Sequence, residues 1–126
     1  MKEVKFRAWS VIDQEYINNK VNYLIDLNGQ MFYQFGSRDL EHIGHNELVI
    51  QRYTGLKDAG EVEIYDGDII QFNFRDRWGH VDTFLGQVIW DEYMWLVETP
   101  EGDQYSLNRI HRPIIFGNIF ENPNLI

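Results

Sequence analysis

Residues 63–74 read EIYDGDIIQFNF, and this stretch limits the possible folds more tightly than any other. Asp66-Gly67 is turn chemistry: glycine reaches positive φ without a Cβ penalty, and aspartate bonds neighbouring backbone N–H groups. Beyond the turn, Ile70, Phe72 and Phe74 share one parity, while Gln71, Asn73 and Arg75 share the other. A period of two is the mark of a half-buried β-strand. We therefore expect positive φ at Gly67, a backbone bond from Asp66 or Asp68, and a core strand starting at Ile69-Ile70.

The same grammar recurs along the chain. VNYLIDL meets Asn28-Gly29 and then QMFYQF, which predicts a hairpin across residues 21–35 because both turn residues tolerate positive φ. FLGQVIWDEYMWLVE at 84–98 predicts a second hairpin turning near Asp91-Glu92. A two-residue loop there sets Trp90 opposite Tyr93 and Val88 opposite Trp95. RDRWGH reads as a loop, and Pro100-Glu101-Gly102-Asp103 as a further turn. The best helix candidate is SRDLEHIGHN at 37–46, with Ser37 as N-cap, Asp39 in the first turn and Gly44 as a stop. The expected fold class is mainly β, a small barrel or sandwich with at most one short helix.

Length and composition fit this. A chain of 126 residues is one domain long and buries about two thirds of its unfolded surface. There are no cysteines, which excludes a disulfide framework, a thiolate zinc site and a cysteine nucleophile. The opening MKEVKFRAWS lacks the apolar core of a signal peptide, and no apolar run has the length of a membrane span. The cytoplasm is the expected compartment. The net charge is −9 and uneven: residues 1–50 hold five Lys/Arg against seven Asp/Glu, and residues 51–126 hold six against thirteen. An excess of −7 in the later part repels phosphate backbones at long range.

Several clusters suggest chemistry, and each has a plainer reading. Glu63, Asp66 and Asp68 have the oxygen ligands of a hard-cation site, but Asp-Gly turn chemistry accounts for them without metal. Asp39, Glu41, His42 and His45 approach a zinc spacing, yet a catalytic zinc site needs a third ligand and an open position, the spacing differs from the His-Glu-x-x-His pattern, and Gly44 weakens the helix; solvated histidines are the plainer reading. Asp103, Ser106 and His111 contain the residue types of a triad without a nucleophile elbow. Gly55, Gly60 and Gly67 fit no phosphate loop. We therefore assign no catalytic, metal-ligating or cofactor-binding residue, and expect neither an enzyme nor a cofactor.

Two aromatic groups remain as a candidate interaction surface. Trp90, Tyr93 and Trp95 lie where both strand parities are apolar, so the hairpin is core, a protein interface, or a platform that stacks bases or grips a peptide. One natural cover is another copy of the chain, which makes a homo-oligomer an expectation. Arg75, Arg77 and His80 flank Trp78, a minimal nucleic-acid footprint that Asp76 and Asp82 dilute.

Three blocks, KFRAW at 5–9, QRYTGLKDAGEVEIYDGDII at 51–70 and IFGNIFENPNLI at 115–126, together resemble the YopX family of phage and prophage proteins. Tyr53, Gly55, Tyr65, Asp66, Gly67, Asp68, Gly117, Asn118 and Pro123 carry the resemblance as fold markers. It implies one domain over 1–126, with an N-terminal β-hairpin part at 1–50 and a small SH3-like barrel at 51–126. It brings no catalytic residue or cofactor. Joined to the residue reading, it implies a non-enzymatic phage or prophage accessory protein that binds a phage or host protein and self-associates. The alternative is a small-barrel nucleic-acid binder. A variant of the first has the acidic chain imitate DNA for a basic host protein.

Overall fold

The computed structural model describes residues 5–16, 22–25, 31–34, 41–43 and 48–126. Twelve strands are described: β1 (Phe6–Ser10), β2 (Glu15–Tyr16), β3 (Asn22–Ile25), β4 (Met31–Gln34), β5 (Glu41–Ile43), β6 (Leu48–Lys57), β7 (Glu63–Tyr65), β8 (Asp68–Arg75), β9 (Val81–Asp91), β10 (Met94–Glu98), β11 (Gln104–Ser106) and β12 (His111–Asn118). A short 3-10 turn, Pro123–Leu125, follows. The chain is mainly β, as its alternation predicts. It divides into two compact units, residues 7–50 and residues 1–6 with 51–126.

In the first unit β3 pairs antiparallel with β4, with Ile25 opposite Met31. This is the hairpin expected across 21–35; its turn lies outside the described residues. The helix expected at 37–46 is corrected at its centre, because Glu41–Ile43 is strand β5 on the edge of β4, with Phe32 opposite His42. The remainder of 37–46 lies outside the described residues. The physical reason is the free edge of β4: its unpaired backbone groups bond an adjacent segment. A helix capped at Ser37 and stopped at Gly44 is too short to have much cooperativity to set against that. In β1 and β2, Trp9 lies edge-on to Tyr16 at 5.0 Å, and Arg7 stacks over the same tyrosine at 4.6 Å.

The second unit is built on a five-stranded antiparallel sheet ordered β11-β10-β9-β8-β12. Four strands meander, and the fifth returns beside the first, as in a small SH3-type barrel. Ile64, Ile70, Phe72, Val88, Val97, Leu107 and Ile110 form its core, with Phe74, Phe84, Trp95, Tyr105 and Ile115 packed against them. The predicted alternation of β8 is observed: Ile70 and Phe72 are buried while Gln71 and Asn73 are half-exposed.

The Asp-Gly turn has the expected form. Gly67 takes φ of 85°, and a Cβ there would collide with the Gln51 side chain. Asp68 supplies an expected backbone bond, its Oδ2 accepting from Tyr65 N at 2.8 Å. Tyr53 and Tyr65 face each other across β6 and β7 with rings 5.5 Å apart. Gly55, at φ 86°, lies in the irregular register between Tyr53 and Lys57. Beside it the Thr54 hydroxyl donates to Ile64 O at 2.8 Å and accepts from Leu56 N at 3.1 Å. At the C-terminus Asn118 Oδ1 accepts from Phe120 N and Glu121 N, at 3.0 and 2.9 Å. Gly117 is tight against Asn122, and Pro123 opens the final 3-10 turn.

One anchor had no sequence signal. The buried Asp58 carboxylate follows β6. Its Oδ1 accepts from Gly60 N (2.8 Å) and Val62 N (2.9 Å), and its Oδ2 from Ile115 N (3.2 Å) on β12. Ala59 N donates to Pro113 O at 2.7 Å nearby. Burial raises the Asp58 pKa, but the three backbone donors together hold it below its ordinary value.

Candidate functional site

The six candidate surface residues separate into two groups. Arg75, Arg77 and Trp78 lie at the turn between β8 and β9, and Trp90, Tyr93 and Trp95 at the turn between β9 and β10. These are opposite ends of β9, so the six do not form one site.

At the first turn, Asp76 Oδ1 accepts from Trp78 N and His80 N, each at 2.9 Å. His80 Nδ1 lies 3.4 Å from Asp76 Oδ2. This Asx-type turn holds Trp78 outward at 70% exposure, with the Arg77 guanidinium 4.5 Å from its ring centroid. Arg75 closes β8 opposite Val81 and is exposed.

At the second turn the register corrects the sequence expectation by one residue. Asp91 is opposite Met94, Trp90 opposite Trp95, and Val88 opposite Val97. Glu92 and Tyr93 therefore make the turn. The shift lets Val88 and Val97 face each other in the core, which Val88 opposite Trp95 would not allow. It also joins the two tryptophans as a cross-strand pair, rings 5.0 Å apart at 61°. Such an edge-to-face pair is worth about 1 kcal/mol beyond its burial. Trp95 packs on the core, Trp90 remains 43% exposed and Tyr93 86% exposed.

The pair has a third member that sequence reasoning missed. The Arg52 guanidinium lies 4.6 Å from the Trp90 ring and 5.2 Å from Trp95. An arginine in a strand 38 residues before Trp90 gives no local signal; only the fold brings them together. Around these side chains opens a groove of about 340 Å³. Arg52 to Leu56 of β6 form one wall, and Trp90, Tyr93, Met94 and Trp95 form the other, with Asn108 beside them. The irregularity at Gly55 lies in the first wall. Arg52 is the single charged residue of the lining. Among the described residues no carboxylate pairs with it.

Members of the other clusters that the structure describes fall in turns and strands. Asp68 is buried in its turn, and Glu63 bonds Lys5 at 2.7 Å. That bond, opposed by burial and aided by the Lys5 and Lys57 charges, lowers the Glu63 pKa. Asp103 and Ser106 bracket β11, and His111 opens β12 in the pairing opposite Asn73. The Tyr105 hydroxyl pKa is raised by burial and by Asp103, Asp82 and Glu101. His42 and Glu41 lie in β5, and the side chains there are not described. Among the described residues no helix is long and apolar enough to cross a membrane.

A mainly β chain with a meander closed by a returning strand is the fold of a known group. The YopX protein family matches residues 5–126, and the chain belongs to that family. It is similar over 99% of its length to protein EF1440 from Enterococcus faecalis, at 25% identity and a TM-score of 0.66, covering 99% of that chain. It is similar to protein yopX from Bacillus subtilis at 18% identity and a TM-score of 0.62, over 99% of this chain and 96% of that one. No curated protein matches it.

Proposed function

We propose that this chain is a non-enzymatic protein-interaction module of a phage or prophage, working in the bacterial cytoplasm. The observation that carries the reading is the groove at Arg52, Trp90, Tyr93 and Trp95. Tryptophan, tyrosine and arginine dominate binding hot spots, because each contributes large, rigid contact area with a polar handle. A tryptophan still 43% exposed at the mouth of such a groove has area left for a partner. Self-association belongs to the same proposal, since a second copy has apolar surface to offer.

The test is capture of partners from host cells during phage or prophage expression, with the intact chain and with Trp90→Ala as baits. A specific protein retained by the first and lost by the second supports the reading. Equal retention by both baits removes the groove from it.

A second reading, nucleic-acid binding, draws support from Arg77 stacked on the exposed Trp78. Base stacking on such a ring tolerates any sequence. Fluorescence anisotropy with single-stranded DNA at low salt tests it, with Arg75→Ala/Arg77→Ala as the control. Failure to bind at low salt ends this alternative.

A further inference from the structure

The geometry points to the Arg52 groove as a receptor for an extended peptide segment carrying a single carboxylate beside an apolar side chain. This inference rests on the protein-interaction reading above and names the chemistry of the partner.

The carboxylate follows from Arg52. A guanidinium stacked over aromatic rings keeps its in-plane N–H donors, and that planar fork matches a carboxylate in bidentate fashion. Stacking over both Trp90 and Trp95 also holds the side chain in place. Less conformational freedom is then lost when a ligand arrives. Among the described residues no acid of this chain occupies the fork.

The apolar neighbour follows from what Arg52 leaves uncovered. Trp90, Tyr93 and Met94 remain exposed beside it, enough to bury a proline, aromatic or aliphatic side chain. The groove, at about 340 Å³, suits a short extended segment and not the face of a folded domain.

The limit to one carboxylate follows from the surroundings. Asp91 precedes the hairpin turn and Glu92 lies in it, and residues 51–126 carry thirteen acids against six bases. A run of acids, or a phosphate backbone, meets that repulsion without a second cation in the lining to offset it. Charge complementarity therefore favours a singly acidic peptide over nucleic acid and over a polyacidic tail.

The test pans the intact chain and its Arg52→Gln variant in parallel against a displayed library of random dodecapeptides. Sequences enriched on the intact chain are expected to carry one Asp or Glu next to a proline, aromatic or aliphatic residue. A labelled synthetic copy of an enriched peptide is then compared with its Asn- or Gln-substituted twin. The acidic peptide is expected to bind about tenfold more tightly to the intact chain, the effect of one charged hydrogen-bonded contact. On Arg52→Gln the ratio falls to about one. Should Arg52→Gln fail to fold, the twin peptides on the intact chain decide alone.

Equal affinity of the twins, enrichment without acidic residues, or no enrichment overturns the inference. If Trp90→Ala abolishes peptide binding while Arg52→Gln leaves it intact, carboxylate recognition is refuted and the protein-interaction reading stands. If oligothymidylate binds instead, with affinity falling steeply as salt rises, both are refuted. Dimerisation that Trp90→Ala abolishes, with no peptide bound, makes a second copy the occupant and refutes the peptide.

Discussion

The two ends of β9 each stack an arginine on a tryptophan, yet they are different objects. At the first, Arg77 and Trp78 are sequence neighbours, held outward by Asp76. At the second, Arg52 comes from β6 to lie over two tryptophans from β9 and β10. Neighbouring residues make a protrusion, and Trp78 stays 70% exposed. Residues from three strands enclose space between them, and a groove forms. The same two residue types thus give a solvated tip or a receptor, according to whether the contact is local or tertiary.

That contrast breaks most severely at Asp58. Its carboxylate joins the end of β6 to β12, so the wall carrying Arg52 depends on it. Asp58→Ala leaves three backbone donors without their acceptor and is expected to cost about 3 kcal/mol, measured by urea unfolding. The first tip makes no use of this tie, and amide exchange at Trp78 and His80 should change little below the global transition. Acid acts in the same direction. The folded pKa of Asp58 is depressed, so its contribution is present above the ordinary carboxylate value of about 4 and is lost as pH falls through the lower folded value. In Asp58→Asn the part of the acid-induced loss due to this group should be missing.

Trp90→Ala removes one edge-to-face pair and one cation–π contact, and we expect a stability loss of about 1–2 kcal/mol with binding lost. Titration of the peptide selected on the intact chain checks the binding, and thermal unfolding the stability. A smaller effect is expected from Asp76→Ala, about 1 kcal/mol at most, because its two backbone bonds are solvent-exposed. Faster amide exchange confined to residues 76–80 would report it. Trp78→Ala should shift stability by less than about 0.5 kcal/mol and leave groove binding unchanged. Binding lost in Trp78→Ala and kept in Trp90→Ala would reverse the comparison.

Local chemistry was legible in the residues themselves. The Asp66-Gly67 turn, the alternation after it, the hairpin across 21–35 and the turn at 100–103 all depend on groups a few residues apart, whose conformations are restricted before any packing occurs. The strand at Glu41–Ile43 and the turn at Glu92-Tyr93 escaped for the opposite reason. An available sheet edge decided the first, and core pairing of Val88 with Val97 the second. Among the candidate residues, Trp90, Tyr93 and Trp95 could be marked by their apolar crowding, but Arg52 could not. It stands in an ordinary polar position of a strand, and the tryptophans that give it meaning lie 38 and 43 residues away.

The chain's residues by themselves determined a mainly β protein, several of its turns and strands, and its family, because backbone preference and period-two patterning are short-range properties. Only the tertiary structure decided which parity pairs with which, which aromatic side chains remain exposed, and that an arginine joins them. Those outcomes depend on strand register and on space shared between distant segments, and neither is a property of any local run of residues.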